Sequence, residues 1–85
     1  MLMTPTASLH GTSAEELIQQ RISACVALDA AITALTAMAP NMRDYAGDPD
    51  GFSRDAAIHK GRVASLKELH ESLMAEAVAI QEQQA

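Results

Sequence analysis

The hydrophobic positions of the chain form two long segments with helical spacing, separated by a stretch that contains proline and glycine. In both segments the apolar residues recur three or four positions apart, and no useful length alternates with the two-residue period of a strand. The first series is Leu17, Ile18, Ile22, Cys25, Val26, Leu28, Ile32, Leu35 and Met38. The second is Ala56, His59, Val63, Leu66, His70, Leu73, Ala77 and Ile80. The pattern predicts an all-α, two-helix antiparallel hairpin.

Capping residues and prolines set the predicted ends of the helices. Ser13 with Glu16 forms a capping box, and Pro40 ends the first helix because the residue before a proline is driven out of the α region. Asp48-Pro49-Asp50-Gly51 fits a type I turn, and Ser53 follows as the predicted cap of the second helix. The predicted organisation is a flexible N-terminal arm over 1–12 and one helical-hairpin domain over 13–82, with helix 13–39, loop 40–52 and helix 53–82.

The second half of the first helix is apolar around almost its whole circumference. Between Cys25 and Ala39 the polar side chains are Asp29, Thr33 and Thr36, which share one narrow stripe. A helix of this kind is normally buried on nearly all sides. A lone hairpin has no enclosed interior, and small scaffolds without a disulfide or metal are marginally stable. We therefore expect the hairpin to assemble into a homo-oligomeric helical bundle, a dimer or larger.

Length, composition and charge narrow the class of protein. The 85 residues make one small domain, and 48% hydrophobic residues are too many for a disordered chain. With aromatics at 2%, this composition suits packed helices better than a β-sandwich. A net charge of −5 argues against binding of duplex nucleic acid. The most apolar run is too short to cross a bilayer, and the first residues lack the basic flank of a secretory signal. These features predict a cytoplasmic protein without membrane contact, with its single Cys25 buried.

The second predicted helix is basic at its start and acidic at its end. The charges run Arg54, Asp55, Lys60, Arg62 and Lys67, then Glu68, Glu71, Glu76 and Glu82. This order opposes the preference of the helix dipole, so it needs another reason. One reason is antiparallel pairing of two copies of the helix, which sets basic halves against acidic halves. The other is an anion site, and the two are compatible.

The predicted anion site joins the loop to the first turns of the second helix. Arg43 and Tyr45 come from the loop, and Arg54, Lys60 and Arg62 follow on the helix. Guanidinium groups and free helix N–H groups bind phosphate, and a tyrosine ring stacks on a base. The site would therefore suit a nucleotide-like ligand.

The sequence gives weaker support to a metal site or a catalytic site. His59 and His70 lie about 16 Å apart along one helix, too far to share a metal within one chain, and are expected to be buried and hydrogen-bonded. Asp44, Asp48 and Asp50 lack the alternation and the closing glutamate of a calcium loop. No combination of a nucleophile with its base is visible. We therefore expect no enzymatic activity, no cofactor and no metal.

The loop Asn41-Met42-Arg43-Asp44-Tyr45, between an Ala-rich helix and an amphipathic one, resembles small uncharacterised proteins encoded by bacteriophages and prophages of proteobacteria. The resemblance spans roughly 32–80, and the family often has glycine where this chain has Met42. It implies an accessory factor that blocks host immunity. Some such proteins are helical-hairpin oligomers that sequester nucleotide second messengers, and others disable a host protein such as a CRISPR effector. The resemblance also implies a binding role for Asn41, Arg43, Asp44 and Tyr45.

The leading expectation is a non-enzymatic homo-oligomer that binds a small phosphorylated ligand at its subunit junctions. The candidate ligand-binding residues are Asn41, Arg43, Asp44, Tyr45, Arg54, Lys60 and Arg62. A first alternative is an inhibitor of a host protein, which engages a basic partner through an acidic surface of Glu68, Glu71 and Glu76. A second alternative is a structural phage accessory protein with no ligand.

Overall fold

The computed structural model describes residues 1–7 and 11–84 and shows two long helices packed against each other. Helix α1 spans Ala14–Ala37, a short 3-10 helix spans Met42–Tyr45, and helix α2 spans Pro49–Glu82. No strand occurs in these residues. The predicted all-α helical hairpin is thereby confirmed. No described helix combines the length and apolarity needed to cross a bilayer.

Helix α1 starts where its capping residue predicts. The Ser13 hydroxyl accepts a hydrogen bond from the Glu16 backbone N–H at 3.1 Å, which satisfies one of the free donors at the helix start. The helix ends at Ala37, two residues before the predicted end, and the Met38 N–H closes the last turn on the Leu35 carbonyl at 3.0 Å. The chain then leaves the helix before Pro40, as the proline requires.

Helix α2 begins at Pro49, four residues before its predicted start, and Asp48 rather than Ser53 is its cap. The Asp48 carboxylate accepts from the Gly51 N–H at 3.0 Å, and its carbonyl accepts from the Phe52 N–H at 3.2 Å. Pro49 takes the first helical position, where its missing N–H has no partner to lose. A side chain at Gly51 would collide with the capping carboxylate. The predicted turn over 48–51 is therefore the first turn of α2.

The loop folds back onto the start of α2 at what we call the closed end of the hairpin. Helix α2 has 34 residues against 24 in α1, an excess of ten residues or about 15 Å of helix. The Tyr45 ring packs edge to face on Phe52, with ring centroids 5.7 Å apart and planes at 72°. Gly47, with φ of 77°, turns the chain from the 3-10 helix towards α2. This contact supports the part of α2 that extends past α1.

The seam between the helices buries few side chains and leaves much apolar surface exposed. Among residues 1–7 and 11–84, the buried apolar residues are Cys25, Ala77 and Ile80, whereas Val26 and Val78 are 62% and 52% exposed. The chain exposes 6218 Å², about 1,400 Å² more than the roughly 4,850 Å² expected of a compact monomer of 9.0 kDa. This surplus supports the predicted oligomer, which stays a prediction.

A buried ion pair crosses the seam towards the open end of the hairpin, where α1 begins and α2 ends. Arg21 Nε donates to Glu76 Oε1 at 3.0 Å, and the two side chains are 10% and 4% exposed. Arg21 also donates to the Leu17 carbonyl at 3.0 Å, and Glu76 Oε2 accepts from the Met3 N–H at 3.1 Å. The acidic surface predicted from the sequence therefore loses Glu76, whose charge is turned inward.

Residues 1–7, from the predicted arm, lie in extended or irregular backbone along the end of α2. Besides the contact of Met3 with Glu76, the Gln83 side-chain amide donates to the Pro5 carbonyl at 2.9 Å. Both contacts join residues more than 70 positions apart in the chain. The flexibility predicted for 1–12 stays a prediction, and residues 8–10, with His10, lie outside the described residues.

Candidate functional site

The loop and the first turns of α2 meet at the carboxylate of Asp55. The Tyr45 hydroxyl donates to Asp55 Oδ2 at 2.7 Å, and Arg54 Nε donates to Asp55 Oδ1 at 3.1 Å. The hydrogen bond from Tyr45 is the main reason that the pKa of Asp55 lies below its ordinary value, and Arg54 and Arg62 lower it further. The same hydrogen bond raises the pKa of Tyr45. Asp55 thus stays ionised and holds the Tyr45 hydroxyl and the Arg54 guanidinium in place.

A depression of about 230 Å³ opens beside this hydrogen-bonded group. Tyr45, Asp55, His59 and Arg62 line it with polar groups, and Met38, Pro40 and Ile58 line it with apolar ones. Asp55, His59 and Arg62 lie at positions i, i+4 and i+7, so one face of α2 presents all three. The depression offers an aromatic ring, a cation and a carboxylate within one small space.

Lys60 does not share this depression with Arg62. Two positions along a helix correspond to a rotation of about 200°, so the two side chains leave α2 on nearly opposite sides. Lys60 lines a second depression of about 390 Å³, together with Thr36, His59, Val63, Ala64 and Lys67. The grouping of Lys60 and Arg62 around one phosphate, predicted from the sequence, therefore does not occur within one chain.

The remaining predicted site residues sit on the exposed side of the loop. The Asn41 side-chain oxygen caps the 3-10 helix and accepts from both the backbone N–H and the Nε of Arg43, at 2.9 and 3.2 Å. Asp44 follows within the 3-10 helix and is also exposed. None of these three residues lines the depression next to Tyr45. These three residues lie on the exposed surface near the depression, where solvent or another chain can reach them.

Asp55 and His59 are the site residues that the sequence analysis did not assign. In the sequence analysis, Asp55 was named only as the negative charge among the basic residues of the second helix. His59 was named as a member of its apolar series and as too far from His70 to share a metal with it. The spacing of Asp55, His59 and Arg62 was the available indication, because it places them on one face. Their meeting with Tyr45 depends on the path of the loop, which the helical pattern does not specify.

A third depression, of about 260 Å³, lies further along the seam and adjoins the second at Lys67. Asp29, Ile32, Lys67, His70 and Glu71 line it, and His70 Nε2 lies 3.2 Å from Asp29 Oδ1. Among residues 1–7 and 11–84, no group of three histidine, cysteine or acidic side chains is arranged to hold a metal ion. His70 lies on α2 and Asp29 on α1, so their contact joins the two helices.

The single cysteine belongs to the seam. Cys25 Sγ donates to the His70 carbonyl oxygen at 3.7 Å, and its side chain is buried. Burial, with a smaller contribution from Asp29, raises the pKa of the Cys25 thiol. Because the thiolate is the nucleophile, a raised pKa makes this thiol unreactive. The predicted burial of Cys25 is confirmed.

Replacing Tyr45 by Phe is expected to raise the pKa of Asp55 towards its ordinary value, because Tyr45 provides the main hydrogen bond to that carboxylate. A carboxylate with a lowered folded-state pKa adds stability that is present above its unfolded pKa and lost as pH falls through its folded pKa. The variant should therefore lose less stability than the parent as pH falls through the acidic range in which this carboxylate takes up its proton. Carboxyl-carbon NMR titration and urea unfolding measure the two quantities, and an unchanged pKa of Asp55 would contradict the arrangement.

Comparisons of the chain with protein-family models, with curated proteins and with solved structures found no match. The function of the site is therefore argued from its own geometry and charge.

Proposed function

We propose that this chain is a non-enzymatic, homo-oligomeric binding protein of phage type, which counteracts host immunity by sequestering a small phosphorylated ligand. The observation that supports this ligand class is the position of Arg62. It lies at the depression shared with Tyr45 and His59, and it makes no salt bridge within residues 1–7 and 11–84. A guanidinium group in this position binds phosphate oxygens through two parallel hydrogen bonds.

The local charge favours an anion although the chain as a whole is acidic. Arg54 and Arg62 against Asp55 leave +2 − 1 = +1 at the site, whereas the chain carries −5. Because Asp55 already accepts hydrogen bonds from Tyr45 and Arg54, its charge is largely satisfied within the site. Among the described residues that line the depression, Arg62 is therefore the cation without a salt bridge, and the Tyr45 ring beside it offers a face or edge to a base.

The size of the depression indicates how such a ligand lies. About 230 Å³ is below the roughly 300–1,000 Å³ of sites that enclose a drug-sized molecule. A phosphate with part of its attached group fits, and the remainder of a nucleotide extends outwards. Asn41 and Arg43 on the exposed loop of an adjacent subunit are suited to contact that remainder, which would place the ligand at a subunit junction.

Replacing Arg62 by Gln is expected to weaken ligand binding about tenfold or more, because it removes a charge-assisted hydrogen bond worth roughly 1.5–3 kcal/mol. Lys60→Gln is the matched control, since it removes one positive charge from the opposite side of α2. Native mass spectrometry of the protein as purified shows whether extra mass is retained and released on denaturation. Calorimetric titration with adenosine 5′-monophosphate and with inorganic pyrophosphate then compares the variants.

Two results would contradict this proposal. Equal losses in Arg62→Gln and Lys60→Gln would indicate general attraction of anions by α2 in place of a site. If native mass spectrometry shows an oligomer with no retained extra mass, and calorimetry detects no heat with either probe, the phosphorylated ligand is contradicted. The alternative of a protein-binding inhibitor would then be favoured, because Glu68 and Glu71 remain exposed although Glu76 is buried.

A further inference from the structure

We infer that one face of α2 binds the same face of a second copy in an antiparallel, twofold arrangement. The inference rests on the homo-oligomer in the proposed function and specifies one surface through which it forms. The pairing face consists of Lys60, Val63, Lys67, Glu71, Met74 and Val78. At 100° per residue, all six side chains leave the helix within an arc of about 80°.

The two halves of the pairing face have complementary shapes. Lys60, Val63 and Lys67 line the depression of about 390 Å³, so this half is recessed. Met74 and Val78 are 41% and 52% exposed, so the other half presents unburied apolar side chains. A twofold axis brings the apolar half of each copy over the recessed half of the other. Met74 and Val78 of each copy are thereby covered, and they fill the partner's depression of about 390 Å³.

The charges determine the direction and the register of this pairing. With the axis at the level of position 69 along α2, Lys67 faces the partner's Glu71, and Lys60 lays its apolar stem along the partner's Val78. Lys67 and Glu71 make no salt bridge in the described part of the chain, so both charges are available. A parallel arrangement would place Lys67 beside the partner's Lys67, so that like charges meet. The antiparallel arrangement forms two Lys67–Glu71 contacts instead.

A second copy is the appropriate partner for two further reasons. The two halves of the face complement each other, a property that binding to an unrelated protein does not require. The surplus exposed area of about 1,400 Å² per chain also exceeds the roughly 800 Å² that each partner buries in a standard interface.

The pairing face and the ligand site are separate surfaces. Lys67 and Arg62 are five positions apart, a rotation of about 140° around α2, so pairing leaves Arg62 and its depression open, and the subunit junction proposed for the ligand is a second interface at the closed end. The proposed pairing and the proposed ligand can therefore each fail without the other. Association measured in the absence of ligand tests the pairing alone.

The test is a reversal of charge at each end of the contact. Lys67→Glu alone, or Glu71→Lys alone, places like charges across both contacts, and each variant is expected to dissociate at least tenfold more readily than the parent. An equal mixture of the two variants places opposite charges across both contacts again and is expected to form heterodimers. The double variant K67E/E71K is expected to recover the homodimer. Sedimentation velocity and native mass spectrometry measure these states.

The mixture separates pairing from effects within one chain. Lys67 and Glu71 are four positions apart on one helix, and mixing cannot restore an interaction lost inside each variant. Glu68→Lys is the control, because Glu68 lies outside the pairing face and its reversal should leave association unchanged. A monomeric parent, a mixture without heterodimers, or a loss in Glu68→Lys equal to that in Glu71→Lys would each overturn the inference.

Discussion

Replacing Arg21 by Met is expected to lower the free energy of unfolding by about 3–5 kcal/mol, the cost of leaving a buried charge without its partner. Glu76 is 3% exposed, and in the variant its carboxylate would keep only the Met3 N–H as a described donor. A chain of 85 residues has a total stability of roughly 4–13 kcal/mol. The expected loss is therefore a large fraction of the total stability.

Urea unfolding followed by circular dichroism measures this loss. Arg54→Met is the matched control, because Arg54 is 69% exposed in its salt bridge with Asp55 and such pairs contribute about 0–1 kcal/mol. The double variant R21M/E76L should recover most of the stability, since apolar residues of similar volume often replace a buried ion pair without loss. Equal effects of Arg21→Met and Arg54→Met would show that the Arg21–Glu76 pair is not buried in solution.

Ile80→Ala is expected to cost about 2–5 kcal/mol, the range for removing a large aliphatic side chain from a packed site. Ile80 is 1% exposed, the lowest exposure among the buried apolar residues, in a seam that buries few others. Loss of its contacts therefore removes a large share of the packing near the open end. The same unfolding measurement applies.

Val26→Ala provides the comparison for Ile80→Ala, because Val26 is 62% exposed and its truncation removes little buried area. Its expected effect on unfolding is within about 0.5 kcal/mol. A loss at Val26 as large as that at Ile80 would indicate that the outer face of α1 is covered in solution, and would place a second interface there.

The fold was predictable because helical spacing and the Ser13 cap are local properties of the chain. The start of α2 was not, because Asp48-Pro49-Asp50-Gly51 suits both a type I turn and a capped first helical turn. Both use an aspartate acceptor and a proline at the next position. The hydrogen bond from the Phe52 N–H to the Asp48 carbonyl, four residues back, identifies the helical turn, and it depends on residue 52, outside the turn itself.

The Arg21–Glu76 pair illustrates what periodicity alone leaves out. Arg21 stands four positions after Leu17 and four before Cys25, so the spacing placed it on the apolar face. Its partner is 55 residues away, and their meeting depends on how far one helix slides along the other. In contrast, the separation of Lys60 from Arg62 followed from helical geometry alone and needed no tertiary contact.

The hairpin also implies an order in which its contacts form. The span of chain between contacting residues grows steadily from the closed end to the open end. Tyr45 and Asp55 are 10 residues apart, Cys25 and His70 are 45 apart, and Met3 and Glu76 are 73 apart. Closing a short loop costs less entropy than closing a long one, so we expect the Tyr45–Asp55 contact to form before the Arg21–Glu76 pair, whose partners are 55 residues apart.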